Sequence, residues 1–320
     1  MSERARAVSA DEDGLRLDRW FKRHFPQVTH GRLEKLLRTG QVRVDGRRVK
    51  ASDRLTQGAL IRVPPIAAEA LARKPDISAE DAKFIRSLII AEEPDIYILN
   101  KPAGLAVQGG SKTHRHIDGM LSALSTDGER PRLVHRLDRD TAGVLIIART
   151  VAAASAMGDL LQNHRIRKPY WAIVTGSPSP RQGEIDLPLA KIGPHGEERM
   201  EAVEPEEGGQ RAITRYETLD AAAGKFAFLA LEPVTGRTHQ LRAHLAALGH
   251  PILGDVKYGS GLPQDDFPAG LQLLARQILI PRSGGRRALI VKAEPPAHLR
   301  EAMSRLGFSP CEPQWLRLSP

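Results

Sequence analysis

The chain has 320 residues, 41% hydrophobic and 27% charged, a composition that suits a folded protein of about two domains and excludes wholesale disorder. Its formal net charge is +9, and residues 1–65 hold 15 basic against 8 acidic side chains, so most of the excess lies in that first segment. Such a segment either tracks a phosphate backbone or is simply a basic, soluble surface, and the 4% aromatic content argues against a protein that binds RNA mainly by base stacking.

The first dozen residues are polar and are expected to be mobile. From Leu15 to Phe25 the apolar positions Leu17, Trp20, Phe21 and Phe25 recur at mostly helical spacing, which predicts an amphipathic helix stopped by Pro26. A second short helix is predicted from the N-cap candidate Thr29 to Gly40, with Leu33, Leu36 and Leu37 on one face and Arg32, Lys35 and Arg38 on another. Gln41–Val44, the turn pair Asp45-Gly46 and Arg48–Lys50 read as a hairpin, and Leu60–Val63 as a last strand. The run Leu17-Asp18-Arg19-Trp20, then Gly31-Arg32-Leu33-Glu34-Lys35-Leu36-Leu37, Gly40, Val42-Arg43-Val44-Asp45-Gly46 and Val49-Lys50 resembles the alpha-L RNA-binding module of a small-ribosomal-subunit protein. That resemblance implies an RNA-binding module over residues 14–63, with Arg32, Lys35 and Arg38 as phosphate contacts. Read without it, the same stretch is a small basic domain with no RNA role.

Residues 64–82 carry Pro64, Pro65 and Pro75 among alanines and scattered charges, the composition of a linker. Beyond it, over 83–320, strand-like runs occur at Ile96–Leu99, Val144–Ala148, Trp171–Val174, Ile213–Thr218 and Phe226–Leu231, with helical patterns at Val151–His164 and Thr238–Leu248. Strands outnumber helices and do not alternate with them, which predicts an α+β domain on a mixed, mostly antiparallel sheet.

The segment Val134-His135-Arg136-Leu137-Asp138-Arg139-Asp140-Thr141-Ala142-Gly143 leads directly into a strand. A carboxylate crowded by Arg136 and Arg139 is expected to stay ionised and so to be able to act as nucleophile or base. Such a charge cluster is also what a surface salt-bridge network looks like. The segment resembles the signature of the RluA family of pseudouridine synthases, His-Arg-Leu-Asp followed by Thr-Ser-Gly, with Ala142 in place of the serine. Three further segments match in order: Asp95-Ile96-Tyr97-Ile98-Leu99-Asn100-Lys101-Pro102-Ala103-Gly104, Arg167-Lys168-Pro169-Tyr170-Trp171-Ala172, and Pro233-Val234-Thr235-Gly236-Arg237-Thr238-His239-Gln240-Leu241-Arg242-Ala243-His244 running on to Gly249-His250-Pro251-Ile252-Leu253-Gly254-Asp255. The resemblance implies that Asp138 is the catalytic aspartate, Tyr170 the active-site tyrosine, Arg242 the arginine that pairs with Asp138, and Arg136 the side chain that enters the RNA stack. It also implies isomerisation of uridine to pseudouridine in structured RNA by base flipping. Where the family usually has Leu-His-Ala, this chain has Leu273-Leu274-Ala275, which puts local packing or RNA contacts there in question, though not the catalytic assignment.

The N-terminal module, Pro64-Pro65 and Val107-Gln108-Gly109-Gly110-Ser111 look most like the RluC branch, which implies large-subunit ribosomal RNA as the partner; tRNA and a non-catalytic RNA-binding role are the alternatives. His239, His244 and His250 fit no common zinc spacing, so no metal is expected, and the lack of phosphate-loop and dinucleotide motifs predicts no nucleotide cofactor. No Gly-x-Ser-x-Gly elbow supports a serine hydrolase. The single cysteine, Cys311, excludes an internal disulfide and fits a reducing compartment. With no signal-peptide pattern and no apolar run of roughly 18 residues, a cytoplasmic monomer without membrane contact is expected.

Overall fold

The structure is a computed structural model that describes residues 4–25, 28, 30–65, 77–110, 113, 115–126, 128–194, 198–259, 267–282, 284 and 286–317. The chain divides into two compact units, Met1–Asp76 and Ile77–Pro320.

In the first unit β1 (Arg4–Ala7), α1 (Leu17–His24), α2 (His30–Arg38), β2 (Arg43–Val44) and β3 (Leu60–Val63) follow one another. Both helices match the periodicity, because Leu17, Trp20 and Phe21 of α1 and Leu33 and Leu37 of α2 bury one face in a shared core. Full burial of side chains of this size contributes roughly 1.5–3 kcal/mol each before entropy is counted. Lys35 and Arg38 are exposed and Arg32 half-exposed on the other side of α2. The expected stop at Pro26 and cap at Thr29 lie outside the described residues, as do Pro75 and Ser111.

Two expectations for this unit need correction. Residues 4–7, expected to be mobile, form a strand that pairs antiparallel along the whole of β3, from Arg4 opposite Val63 to Ala7 opposite Leu60. Polar composition hid it, since only Val8 just beyond the strand is a core residue. The hairpin after α2 is also shorter than expected. Asp45 and Gly46 do make the turn, both at positive φ, but the returning arm keeps only the bridge of Arg47 to Val44. β2 pairs instead with β3, and the Asp45 carboxylate locks that choice by accepting the Leu60 N–H at 2.8 Å.

In the second unit the order is α3 (Ala79–Ser87), β4 (Ile89–Glu92), β5 (Ile96–Lys101), α4 (Ile117–Met120), β6 (Arg132–Leu133), β7 (Ala142–Ala148), α5 (Val151–Gln162) and β8 (Tyr170–Thr175). Next come β9 (Gln182–Asp186), β10 (Leu189–Ile192), β11 (Arg199–Ala202), β12 (Ile213–Ala222), β13 (Phe226–Pro233) and α6 (Gln240–Ala247). Beyond α6 follow β14 (Leu273–Ala275), β15 (Gln277–Ile280), β16 (Leu289–Lys292) and α7 (Ala297–Leu306). α3 begins inside the stretch expected to be linker, with Ser78 capping it by accepting the Asp81 N–H at 3.0 Å.

A nine-stranded sheet in the order β4-β5-β7-β14-β8-β13-β12-β9, with β6 on β7, carries the second unit. Only β7 with β14 is parallel, so the fold is α+β with a largely antiparallel sheet, as its elements predict. The central strands are buried on both faces and their residues alternate: Val144 and Ile146 of β7 join one core with α5 and α7, while Leu145 and Ile147 join another with α3 and α4. Further along the sheet, Leu241 and Leu245 of α6 cover Ala172, Val174 and Leu229. β14 is wedged between β7 and β8, and its Leu274 is fully buried in the apolar core. Packing at this departure from the family pattern is therefore intact.

Candidate active site

The loop between β6 and β7 shows why His-Arg-Leu-Asp is written in that order. His135 turns inward and its Nε2 accepts the Ile146 N–H at 2.9 Å, while Arg136 points out and donates to Gln108 Oε1 at 3.4 Å. Leu137 turns inward again, into the core with Leu145 and Ile147. Asp138 comes next and lines a cavity of about 280 Å³. Thr141 N–H donates to the Asp138 carbonyl at 3.2 Å, closing the turn that leads into β7. Burial, reinforced by the Lys168 charge, holds the His135 pKa down at about 3, so His135 is a neutral structural ring with its proton on Nδ1.

Lys101, in the Asn-Lys-Pro turn, is the pin of this loop, a role that its sequence neighbours do not signal. Its side chain is fully buried, and Nζ donates to the carbonyls of Pro102 and Leu105 at 2.9 Å and of Arg139 at 2.8 Å. Burial lowers its pKa to about 7, against the opposing pull of Asp140 and Asp138. The residue next to Asp138 is fastened a second time where Arg139 Nε donates to the Gly104 carbonyl at 3.0 Å. The nearest sequence signal was a lysine flanked by turn residues, which says nothing of where its ammonium goes.

Across the cavity stand Tyr170, at the start of β8, and the segment from Pro233 to Arg242. Burial, then the Asp138 charge, pushes the Tyr170 hydroxyl pKa up, so Tyr170 is a neutral aromatic wall. Gln240 shapes the segment: its Oε1 accepts from Thr235 Oγ1 at 2.7 Å and the Arg237 N–H at 3.0 Å, and its Nε2 donates to the Ile213 carbonyl at 2.8 Å. The turn forces His239 into the left-handed region, φ 52°, where a non-glycine residue stores about 1–3 kcal/mol of strain. Among the described residues Asp138 is the one acidic side chain lining the cavity, beside Arg136, Lys168, Arg237 and Arg242.

The structure brings Asp138, Tyr170, Arg136 and Arg242 to one cavity. Arg32, Lys35 and Arg38 lie on α2 of the other unit. The expected pairing of Arg242 with Asp138 is corrected. The Arg242 fork donates from Nε to Asp255 Oδ2 and from Nη2 to Asp255 Oδ1, both at 2.7 Å, with Asp255 fully buried. Asp255 Oδ1 also accepts the N–H groups of Lys257 at 2.9 Å and Tyr258 at 3.0 Å, so it offers a better-solvated-by-protein partner than a half-exposed loop carboxylate. Burial opposes ionisation of Asp255, but the Arg242 bonds outweigh it and hold the carboxyl below its usual range. What faces Asp138 instead is His239, its Nε2 at 3.9 Å from Oδ1.

His244 and His250 have other duties. His244 Nε2 donates to the Leu187 carbonyl at 2.9 Å and its Nδ1 meets Thr214 Oγ1 at 3.0 Å, while His250 Nδ1 donates to the Thr175 carbonyl at 3.0 Å. Among the described residues no three His, Cys, Asp or Glu side chains converge as a metal-ligand set.

A carboxylate on a pinned loop, an aromatic wall and a ring of cations around one cavity define a site for polyanionic substrates that present a planar group. The family model "RNA pseudouridylate synthase" matches residues 95–247, and "S4 domain" matches 15–61. The chain is 35% identical over 251 residues to "Ribosomal large subunit pseudouridine synthase C" of Rickettsia bellii, covering 77% of this chain and 83% of that one. It is 36% identical to "RNA pseudouridine synthase 4, mitochondrial" of Arabidopsis thaliana, covering 78% of this chain and 61% of that longer one. The solved structure of "Human RNA Pseudouridylate Synthase Domain Containing 4" superposes with a TM-score of 0.61 at 28% identity, over 71% of this chain and 97% of that one. The protein belongs to the RluA family of pseudouridine synthases and carries an S4 module ahead of its synthase domain.

Proposed function

We propose that the protein isomerises uridines to pseudouridine in structured RNA, most specifically large-subunit ribosomal RNA, with Asp138 as the catalytic carboxylate. The observation that carries this reading is the placement of Asp138, on a loop fastened by Lys101 and Arg139, opposite Tyr170 in a cation-lined cavity. The name of the Rickettsia relative and the S4 module support the ribosomal reading.

A base inside a helix or folded loop must first leave its stack, at a cost of a few kcal/mol. Exposed Arg136 beside the cavity mouth fills the vacated space, and Tyr170 stacks on the extruded base, which is typically worth about 1–3 kcal/mol. Asp138 then assists cleavage of the N1–C1′ bond, by attack on the sugar or the ring or by taking a ribose proton; each route requires an ionised carboxylate. The freed uracil rotates against the apolar side chains of Leu241 and Leu273 and rejoins the sugar through C5; C5 then gives up its hydrogen as a proton and N1 takes one up, both exchanged with solvent, so the product is an isomer of the substrate. Arg242 acts through Asp255, as a buried brace that fixes the start of α6. The S4 module, residues 14–63, docks RNA phosphates through Arg32, Lys35 and Arg38. No described helix is long and apolar enough to cross a membrane, and the proposed residence is the cytoplasm, as a monomer. A fluorescent fusion separates this from the mitochondrial location carried in the name of the Arabidopsis relative.

The test is Asp138→Asn, which keeps the shape of the side chain and removes its charge. Pseudouridine formed per enzyme on ribosomal RNA should fall by at least about 10³-fold, while RNA affinity changes by no more than a few fold and thermal unfolding confirms the fold. Near wild-type modification by a folded Asp138→Asn protein sinks the assignment. Mapping pseudouridines in total RNA with and without the gene identifies the target, and a site appearing only in tRNA overturns the ribosomal reading.

A further inference from the structure

Arg242 gives its Nε and Nη2 hydrogen bonds to Asp255 and acts on the carboxylate proposed as catalytic through its charge alone. The side chain that faces that carboxylate is His239. Its Nε2 lies 3.9 Å from Asp138 Oδ1, and on the opposite side of the ring Nδ1 lies 3.0 Å from Tyr258 Oη. Tyr258 Oη already accepts the backbone N–H of Met200, in β11, at 3.0 Å. With Met200 donating to its oxygen, the hydroxyl can turn its hydrogen to His239 Nδ1, the arrangement that places the ring's own proton on Nε2, facing Asp138.

We propose that His239, held as its Nε2–H tautomer by Tyr258, is the positioning residue that orients the Asp138 carboxylate for reaction. The assignment rests on the reading of Asp138 given above. A neutral N–H donor can hold one carboxylate oxygen in place while leaving the other free and the charge largely intact, which suits a nucleophile or base better than a bidentate cation would. The 3.9 Å gap closes to hydrogen-bond length by a shift of about 1 Å, of the kind a filled site brings about.

Several observations make the ring a fixed device and not a passing side chain. His239 is locked at φ 52° immediately before α6, and the Tyr258 ring meets it edge-on, centroids 5.6 Å apart and planes at 87°. The Tyr258 ring in turn lies over the Arg242 guanidinium at 5.1 Å. The charged groups acting on the imidazole are Asp138 and Asp255, which favour its protonation, and Arg242 and Lys257, which oppose it; burial is the largest influence, and the net effect is a lowered pKa, so the ring is neutral at neutral pH.

The experiment has two arms. In the free protein, ¹⁵N NMR of the His239 ring, assigned by its loss in His239→Gln, should show a protonated Nε2, and Tyr258→Phe should erase that preference. Asp138→Asn should lower the His239 pKa further, because the Asp138 charge raises it. An Nδ1–H tautomer, or a His239 titration unmoved by Asp138→Asn, overturns the proposal whether or not RNA is modified. In single turnover on ribosomal RNA, His239→Leu and Tyr258→Phe should lower the rate at least about tenfold with RNA Kd within a few fold, while His239→Gln, which keeps an N–H near Nε2, recovers part of the loss. A His239→Leu protein at wild-type rate also overturns it. If the wild-type protein makes no pseudouridine, the functional reading fails, and the NMR arm still decides the tautomer and the coupling.

Discussion

Glu12 sits 3% exposed in the core of the S4 module, a position where a carboxylate needs good partners. Trp20 Nε1 and the Ser9 N–H donate to its Oε2 at 3.0 and 3.2 Å, and His24 Nε2 donates to Oε1. Arg6 Nη1, 3.1 Å from His24 Nδ1, fixes the Nε2–H tautomer of that ring. Burial alone would raise the Glu12 pKa, but the His24, Ser9 and Trp20 bonds together bring it from the usual 4.5 to about 2. A carboxyl with a depressed folded pKa contributes stability that is fully present above 4.5 and lost as pH falls toward about 2. Wild-type protein should therefore be more resistant to urea than Glu12→Gln near neutral pH, with the gap closing over that interval, followed through the Trp20 indole N–H resonance. A gap that stays constant with pH would show that Glu12 contributes through shape and not charge. None of this was legible in the sequence: Asp11-Glu12-Asp13 reads as an exposed acidic run, and only the fold shows that its middle member turns inward beneath α1. The loop that carries Asp138 was more legible, because His135-Arg136-Leu137-Asp138 resembles a family signature, and all four residues do line the cavity. Lys101 and Asp255 were not, because a buried charge is recognisable only once its partners are placed.

Between residue and fold stand the elements, and β7 with β14 is the pair on which the site depends. Gly143 has φ +116°, and a Cβ there would lie 2.2 Å from the Ala275 carbonyl oxygen and 2.8 Å from its carbonyl carbon and nitrogen. The obstacle is the backbone of Ala275, which cannot yield as a flexible side chain would. Gly143→Ala should therefore cost at least about 3 kcal/mol, by strain and by separating the strands, with a matching drop in the urea midpoint of the synthase domain. An alanine variant as stable as wild type would mean the two strands can part freely. Sequence patterns predicted the strands of this sheet because their residues alternate or run apolar. The three-residue β14 was too short to show a period, and its neighbours in the sheet, β7 and β8, come from far earlier in the chain. The truncated hairpin after Asp45-Gly46 is the converse case: the turn chemistry was right, but β2 takes β3 as its partner and leaves the returning arm only the Arg47–Val44 bridge.

At the scale of the whole molecule two units share the labour of holding and changing RNA. Deleting residues 1–62 should weaken binding to ribosomal RNA and reduce the slope of log affinity against log salt by roughly 0.7–0.9 for each phosphate contact removed, while the synthase domain still unfolds cooperatively. An unchanged salt slope would remove the RNA role of Arg32, Lys35 and Arg38. Division into a basic front module and a larger sheet domain was legible from charge and proline placement; which strand completes the sheet was not. That last point governs the order of events during synthesis. β14 fills the slot between β7 and β8 and contributes Leu273 to the cavity wall, so the growing chain carries two open strand edges until nearly all of it has left the ribosome. The S4 module needs nothing beyond β3 for its sheet and can fold long before. A nascent chain should thus be able to grip RNA well before its cavity is complete, and molecules cut short before β14 should compete for the same RNA while modifying none of it.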